Sequence, residues 1–429
     1  MIAQERIRVK VFEADAPVTG FCGVVALSGH AGAMGLFADA ERELGWVKQR
    51  RRGRSVSSML FDLMMLPCAG GECIDDLAAL RADAGLSRLL GRTVTSPSTA
   101  HDFLRELGPV GLESLASLRR GQLCHAARTL GVRQATLDCD ATLLLSKAQR
   151  AQRSYKGERG WFPMLAFWSE TGMVVHDEFR QGNASPQSDA LGFLKEAVAQ
   201  LPEGLERVDV RSDSAWYQAA LLDHCQEQGY GFAVTADLDE AVKAGLMEMG
   251  DVTWTLLGKP ADPGAPESCP QQWACEGVHT LNGSKHPYRM IYLRRERRQG
   301  DLFEGMYSYG AIITNRNDLA LEELVRWHRQ RCNCENHIKE LKHGFGLASL
   351  PSGDFFVNAL YLRIMTLSFN LIVSLKKTAL PESWATHTLK TLRFRLLGVP
   401  ALVVRHARRL QLRLPRRWPW RDVLVPLLA

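Results

Sequence analysis

The chain has 429 residues, of which 46% are hydrophobic, 23% charged and 8% aromatic. This is the ordinary balance of a globular protein with enough length for two or three domains, and it excludes disordered, collagen-like and low-complexity chains. Lys and Arg number 53 against 47 Asp and Glu, so the formal net charge is only +6. Any binding of a polyanion must therefore come from local basic patches rather than from a global excess of positive charge.

Neither a membrane span nor a leader segment is predicted. The most apolar stretch, residues 355–373, is interrupted by Asn358, Arg363 and Asn370, which favours a buried helix. The N-terminus carries charges where a signal peptide needs its apolar region, so we expect a cytoplasmic protein. The ten cysteines are scattered, and in a reducing compartment they are expected to be free thiols.

One cluster of possible zinc ligands stands apart from the other cysteines: His328, Cys332, Cys334 and His337. It lies in a strongly helical stretch, where two cysteines separated by one residue point in different directions. Structural zinc knuckles use a different, two-residue spacing. Ordinary helix positions are therefore favoured over a zinc site.

Residues 1–130 are predicted to be helical. Apolar residues recur at three- and four-residue spacing over 44–66 and 74–90, and Ser98 is a candidate N-cap for a helix over 99–107. Within this region five basic side chains are packed together: Lys48, Arg50, Arg51, Arg52 and Arg54. Such a run is either a solvated face or a patch that contacts phosphates, and the sequence leaves both open.

From residue 135 the pattern changes to strands. Runs at 135–145, 161–168, 172–179, 208–211 and 231–235 are short and bounded by Gly, Asp, Asn and Ser, whereas 189–200 and 216–227 have helical spacing. Three early strands followed by helix, strand, helix and strand indicate an α/β fold with a mixed sheet flanked by helices. This is the order of a ribonuclease-H-like core, whose first part we assign to 131–240.

The remaining chain is divided into three regions. Residues 241–305, rich in Pro and Gly with strand-like pieces, are predicted to be a β-rich insertion. Residues 306–350 return to the core with a strand over 307–314 and a helix over 317–342. Residues 351–429 are predicted to be a helical, basic C-terminal region. Its last forty residues hold ten Lys and Arg but only one acid, Asp422, which suits either a target-DNA or dimer element or a solvated amphipathic helix.

Two of the candidate site residues are aspartates at strand ends. Asp138 and Asp140 are two residues apart on the first strand and hence share one face of it, so one of them can line a site. Asp213 follows a later strand at its carboxyl end, where open α/β sheets place ligands.

A third acid is found on the predicted 317–342 helix. At roughly 100° per residue, His328, Arg331, Glu335 and Lys342 fall within about a 60° sector. One helix face therefore presents a carboxylate flanked by cations. Three carboxylates from separate elements can hold two Mg²⁺ ions about 3.5–4 Å apart, the arrangement used in two-metal phosphoryl transfer.

These residues resemble the motifs of the DDE transposases of the IS4-like superfamily, closest to the IS1380 group of insertion sequences. Asp140-Ala-Thr and Arg211-Ser-Asp213-Ser resemble the first and second aspartate motifs. The third motif of the family is Tyr, two residues, Arg, three residues, Glu, six residues, Lys, and Arg331, Glu335 and Lys342 match that spacing. His328 stands in place of the Tyr. Further similar segments are Tyr155-Lys-Gly, Pro163-Met-Leu-Ala and Arg180-Gln-Gly-Asn.

The resemblance implies catalysis and metal binding by Asp140, Asp213 and Glu335, with Mg²⁺ as the cofactor, two ions per site, and Mn²⁺ as a possible substitute. It also implies cut-and-paste movement of a DNA element with terminal inverted repeats, by a homodimer on paired ends. The predicted DNA contacts are His328, Arg331, Lys342, the basic residues 48 to 54, and Trp216, which either stacks on a flipped base or packs into the core.

Two other functions remain open from the sequence. A ribonuclease-H-like nuclease or resolvase would use the same acids for hydrolysis alone. A DNA-binding regulator derived from a transposase would keep the fold without the chemistry, although such a module has no need of three acids.

Overall fold

The computed structural model describes residues 14–48, 53–250, 253–258, 271–297 and 307–428. The N-terminal part is helical. Its elements are β1 (Val18–Thr19), α1 (Val24–Ala33), α2 (Leu36–Leu44), α3 (Val56–Ala69), α4 (Leu77–Ala82), α5 (Ala84–Leu89), α6 (Pro97–Leu107) and α7 (Val110–Leu130). One cap differs from the prediction: the hydroxyl of Ser96, not Ser98, accepts the N–H of Thr99 at 3.2 Å. Pro97 then takes the first helical position, where its missing N–H leaves no bond unmade.

The centre of the molecule is a mixed sheet. Residues 134–248 form β2 (Gln134–Ala141), β3 (Leu144–Leu145), β4 (Gln152–Arg153), β5 (Arg159–Trp161), β6 (Met164–Trp168), β7 (Met173–Glu178), α8 (Ala190–Ala199), β8 (Arg207–Ser212), α9 (Ala219–Glu227), β9 (Gly231–Ala236) and α10 (Glu240–Glu248). Strands β2, β6 and β7 are antiparallel neighbours, and β8 and β9 run parallel to β2 on its other side. The predicted mixed sheet with flanking helices is therefore confirmed.

The predicted β-rich insertion contributes strands to this same sheet. They are β10 (Thr255–Leu256), β11 (Gln272–His279) and β12 (Tyr288–Glu296), followed by β13 (Tyr307–Thr314). The sheet has nine strands in the order β10-β11-β12-β13-β9-β8-β2-β6-β7. Because β13 pairs antiparallel with β9, the described strands of 241–305 extend the central sheet rather than form a separate one.

The helix predicted over 317–342 is two helices, α11 (Leu321–Arg329) and α12 (Cys332–Gly344). Between them the N–H of Arg331 donates to the carbonyl of His328 at 3.1 Å, a three-residue spacing that tightens the backbone. The helical wheel drawn through one continuous helix is therefore wrong across this turn. Glu335 and Lys342 do share α12.

The apolar stretch near residue 360 is a core helix, α13 (Phe355–Thr378). By length and composition alone it could cross a membrane, but 94% of its apolar window is buried inside the protein. Its polar groups bond internally: the Asn370 side chain pairs with both backbone groups of Val174 at 2.7 and 2.9 Å. Arg363 contacts Asp177 at 3.1 Å, and Arg119 of α7 binds the same carboxylate. The predicted buried helix is confirmed.

The C-terminal region, predicted to be helical, also contains a hairpin. It comprises α14 (Leu389–Leu392), β14 (Ala401–His406), β15 (Arg409–Arg413) and α15 (Arg421–Leu428). The hairpin is the antiparallel pair β14–β15, and β14 also pairs with β1 of the N-terminal part, a long-range contact that local periodicity does not show. One hydrophobic core includes residues from Cys22 to Leu424, so the first and last described elements share it with the sheet.

Candidate active site

Two of the three predicted acids lie at the ends of neighbouring parallel strands. Asp138 of β2 is opposite Arg211 of β8 in the strand register. Asp140 and Asp213 each follow two residues later and are therefore directed to the same face of the sheet. The carboxylate of Asp213 caps a short 3-10 turn by accepting the N–H of Ala215 at 3.1 Å, which fixes its position at the strand end.

The third acid, Glu335, reaches this place from α12. The guanidinium of Arg331 lies between two carboxylates, 4.0 Å from Oδ2 of Asp140 and 3.4 Å from Oε1 of Glu335. The Asp140 side chain is 20% exposed and that of Glu335 is 58% exposed. The site thus combines one partly buried acid, one exposed acid and a cation that they share.

The electrostatics tie the three acids together. Burial, then the negative charge of Asp213, raises the pKa of Asp140 to about 6, with a further contribution from Glu335. Arg331 opposes this rise without cancelling it. Converging carboxylates repel each other unless a cation compensates them, so Asp140 carries an unfavourable charge at neutral pH.

Asp138, the other acid of the first strand, has a different role. It is 2% exposed and accepts two hydrogen bonds from Arg211, at 2.7 and 2.8 Å. Arg211 also donates to the Ser169 hydroxyl at 2.7 Å and stacks on the Trp327 ring. The carboxylate of Asp138 is thus engaged by Arg211, whereas the side chain of Asp140 remains 20% exposed.

Lys342 lies near Asp140 at one side of the site. Its ammonium donates to the carbonyl oxygen of Leu143 at 2.8 Å. Burial lowers the pKa of Lys342, and the charge of Asp140 opposes this. Lys342 is thus held by backbone just beyond Asp140, at the predicted distance of two helical turns from Glu335.

Two predicted DNA contacts lie inside the protein. His328 is 9% exposed, and its Nε2 is 3.3 Å from the Thr235 hydroxyl. Burial, then the charge of Arg331, lowers the pKa of His328 to about 4, so the ring is neutral. Trp216 is 1% exposed and packs edge-on against Phe193. Because protein encloses both side chains, we place them among the core residues and correct their assignment as DNA contacts.

The basic run of the N-terminal region is described only in part, because Arg50, Arg51 and Arg52 lie outside the described residues. The Lys48 ammonium is 3.4 Å from the carbonyl of Gly53. Arg54 is engaged inside the helical region, where it donates to Thr93 and lies 3.7 Å from the buried carboxylate of Asp62. Arg54 therefore stabilises a loop, which favours the structural interpretation for that residue.

In the described ranges, no group of three or more His, Cys, Asp or Glu side chains is arranged to hold a metal ion. Among the three acids, Asp140 and Glu335 are in contact with the guanidinium of Arg331. For the possible zinc cluster, Cys334 is buried against β2 and the His337 ring stacks on Phe167. Ordinary helix positions account for both of these residues.

The profile of a protein family described as "Transposase DDE domain group 1" matches residues 3–429. The chain belongs to this family. No curated protein matches it. Among solved structures it is similar to the piggyBac transposase synaptic complex with hairpin DNA, determined by cryo-EM, at 11% sequence identity and a TM-score of 0.46. The similarity covers 89% of this chain and 82% of that chain.

In this member of the DDE transposase family, sequence reasoning missed Arg211 as part of the site's support. The signal was present: Asp209, Arg211 and Asp213 alternate along β8 and therefore share one face. Arg211 neutralises Asp138 and also donates to the Trp327 carbonyl at 2.6 Å. It thereby joins α11 to the two strands that carry the aspartates.

Proposed function

We propose that this chain is a DNA transposase that excises and integrates an insertion sequence by metal-assisted phosphoryl transfer. The convergence of Asp140, Asp213 and Glu335 on one cleft is the observation that carries the proposal. The three acids come from β2, the end of β8 and α12, which are distant in sequence and meet only through the fold. Membership of the DDE transposase family supports the same chemistry.

We further propose that the core is ribonuclease-H-like. The order β7-β6-β2-β8-β9, with three antiparallel strands followed by two parallel ones, supports this assignment. Within the family we propose a place in the IS4-like superfamily, nearest the IS1380 group. The spacing of Arg331, Glu335 and Lys342 supports it.

The donor set fits a hard divalent cation. Carboxylate oxygens are the ligands that Mg²⁺ prefers, and the raised pKa of Asp140 marks a position where added positive charge is favourable. We propose that Asp140, Asp213 and Glu335 would hold two Mg²⁺ ions, with Mn²⁺ as a possible substitute. When bound, the ions would activate an attacking oxygen and stabilise a leaving oxygen.

The cations of the chain take complementary roles in this proposal. Arg331 lies between Asp140 and Glu335, and its guanidinium would be placed to bind a phosphate of the DNA through two parallel hydrogen bonds. Lys342 is held near the cleft by the Leu143 carbonyl, and it offers a point charge to the same DNA strand. Double-stranded DNA with terminal inverted repeats is the proposed substrate, bound by a homodimer.

The test is cleavage of a DNA fragment that carries the inverted repeats flanking the gene, in Mg²⁺, by the wild type and by Asp140→Ala, Asp213→Ala and Glu335→Ala. We expect each variant to lose cleavage and to keep binding of the ends, because a metal ligand is removed and not a phosphate contact. Glu335→Gln and the exposed Glu106→Gln on α6 form a matched pair in which only the first should be inactive.

The outcomes separate the three candidate functions. Release of the fragment that depends on Mg²⁺ and on Glu335 supports the transposase. Cleavage without regard to the repeats would instead identify a nuclease, and tight end binding without cleavage would identify a regulator.

A further inference from the structure

A small three-stranded sheet follows Asp140 closely in the sequence and has no part in the proposed chemistry. It consists of β3, β5 and β4, in that order, and spans residues 143–162, which we call the basic flap. Its tip is a tight turn in which the N–H of Ser154 donates to the carbonyl of Glu158 at 2.7 Å. Gly157 has a φ of +81° there, a conformation that glycine adopts readily.

The flap concentrates positive charge on its outer surface. It carries five cations and one acid: Lys147, Arg150, Arg153, Lys156, Arg159 and Glu158. All five cations are exposed. Arg150 pairs with Asp354 at 3.0 Å, whereas in the described part of the chain no ion pair engages the other four. The flap therefore has four net positive charges, in a chain whose formal net charge is +6.

The flap is held firmly on the protein by its underside. Leu144, Ala151 and Trp161 are 3% exposed or less. At Gly182, outside the flap, a Cβ atom would meet the carbonyl oxygens of Gln152 and Gly160 at 2.3 Å, and within the flap a Cβ atom at Gly160 would meet the carbonyl oxygen of Leu144 at 2.2 Å. Backbone packed this closely fixes where the outer cations stand.

The flap is also next to the acids. Its first residue, Leu143, supplies the carbonyl that binds the Lys342 ammonium at 2.8 Å. Lys156 is near enough for its charge to act on Lys342. A DNA strand that reaches Asp140 along this side must therefore pass the flap.

An exposed aromatic residue stands among the cations. Tyr155 at the tip is 70% exposed. The Tyr155 ring packs edge-to-face against Phe162, with the two ring centroids 6.1 Å apart. The Lys156 ammonium lies 5.5 Å from the centroid of the Tyr155 ring. A large exposed ring beside cations is the combination that binds single-stranded nucleic acid, through stacking and phosphate contacts.

We propose that the basic flap grips the DNA strand entering the active site, with Arg153, Lys156 and Arg159 on its phosphates and Tyr155 stacked on a base. This rests on the proposed function and assigns the surface by which that site holds its substrate. The contacts are to backbone and ring faces, so the flap contributes affinity and positioning without reading sequence.

The first test is the salt dependence of DNA binding by the triple variant Arg153→Ala, Lys156→Ala, Arg159→Ala. Binding of a fluorescent DNA end is measured by anisotropy in EDTA, so that no cleavage intervenes. Loss of three phosphate contacts should reduce the slope of log K against log salt by roughly 2 to 3 and weaken binding at least about tenfold at 0.1 M salt. The matched control removes three exposed cations elsewhere: Arg128, Lys195 and Lys243.

A flap variant that binds DNA with the wild-type affinity and slope, while the wild type cleaves normally, overturns the proposal and leaves the proposed function intact. The proposal is also overturned if the control triple variant loses as much DNA affinity as the flap triple variant, because the loss then reflects net charge and not the flap. Failure of the wild type to bind DNA at all would instead overturn the proposed function. Glu335→Gln should bind DNA normally, so it separates a loss of binding that is specific to the flap from one caused by changes at the acids.

The second test addresses Tyr155. Tyr155→Ala should weaken binding of an end with unpaired bases by more than it weakens binding of a blunt duplex, whereas Tyr155→Phe should restore both, because stacking needs the ring and not the hydroxyl. Equal behaviour of the Ala variant and the wild type on both ends would remove Tyr155 from the proposal.

Discussion

Replacing Asp140 by Asn should abolish cleavage and make the metal-free protein more stable. The pKa of Asp140 is raised from 3.8 to about 6 by burial and by the other acids. One unit of pKa corresponds to about 1.36 kcal/mol, so a shift of roughly two units corresponds to about 3 kcal/mol. The side chain is only 20% exposed, so solvent screens little of this.

The gain in stability should depend on pH with a defined sign. The folded state holds the Asp140 proton more tightly than the unfolded state, because its folded pKa is the higher one. Wild-type stability therefore falls as the pH rises from about 3.8 to about 6, and the full penalty is present above that range. Asn cannot ionise, so the variant lacks this contribution. The difference between the two proteins should be near zero at low pH and largest at neutral pH.

Urea unfolding in EDTA from pH 4 to 8 measures this difference, with Glu106→Gln as an exposed control that should match the wild type. Added Mg²⁺ should narrow the gap by stabilising the wild type alone, because a ligand that binds the folded state raises its stability. An Asn variant that is no more stable than the wild type at pH 7 would refute the reasoning, as would a gap of constant size across the range.

Three further outcomes follow from the same contacts. Asp138→Ala should cost about 3–5 kcal/mol in urea unfolding, because it leaves Arg211 buried without its carboxylate. Asp177→Ala should cost a similar amount by the same assay, since it removes the partner of two buried guanidiniums. Gly160→Ala should weaken DNA binding measured by anisotropy while the melting temperature stays within a few degrees, because a Cβ would press on the Leu144 carbonyl and shift the flap. Unchanged binding there would contradict the placement of the flap.

Local sequence patterns were sufficient for the central sheet and for the acids. Strands β8 and β9 were predicted nearly to their ends, because alternation and bounding polar residues are local signals, whereas the strand predicted over 135–145 ends at Ala141 and is followed by the separate strand β3. The carboxyl end of a strand is also a local property, and it sufficed to single out Asp213. The choice between Asp138 and Asp140 was different. The strand pattern left both acids open and the family resemblance selected Asp140, whereas the physical reason is that Arg211, which is distant in the chain, becomes the partner of Asp138 through strand register.

Long-range pairing explains what the sequence patterns did not show. The extension of the sheet by β11 and β12 depends on one pairing, between β13 and β9. The place of the C-terminal hairpin in the fold involves pairing of β14 with β1, which is distant in the chain. Similarly, periodicity predicted one helix over 317–342, because a single tight turn at Arg331 barely disturbs the spacing of apolar residues. Burial of His328 and Trp216 likewise follows from tertiary packing alone.

The contrast between two buried acids shows where the function of this fold resides. Burial by itself would raise the pKa of Asp177, but Arg363 and Arg119 outweigh it and hold the pKa at about 2. Asp140 is also largely buried, but the guanidinium that lies 4.0 Å from it, that of Arg331, is shared with Glu335, and the pKa of Asp140 is raised to about 6. The negative charge of Asp177 is balanced by arginines within the fold, whereas the negative charge of Asp140 is balanced only in part. A charge that is compensated only in part is costly to the fold, and acids with strongly shifted pKa values are common at functional sites, so Asp140 is the position where we expect an added cation to have its largest effect.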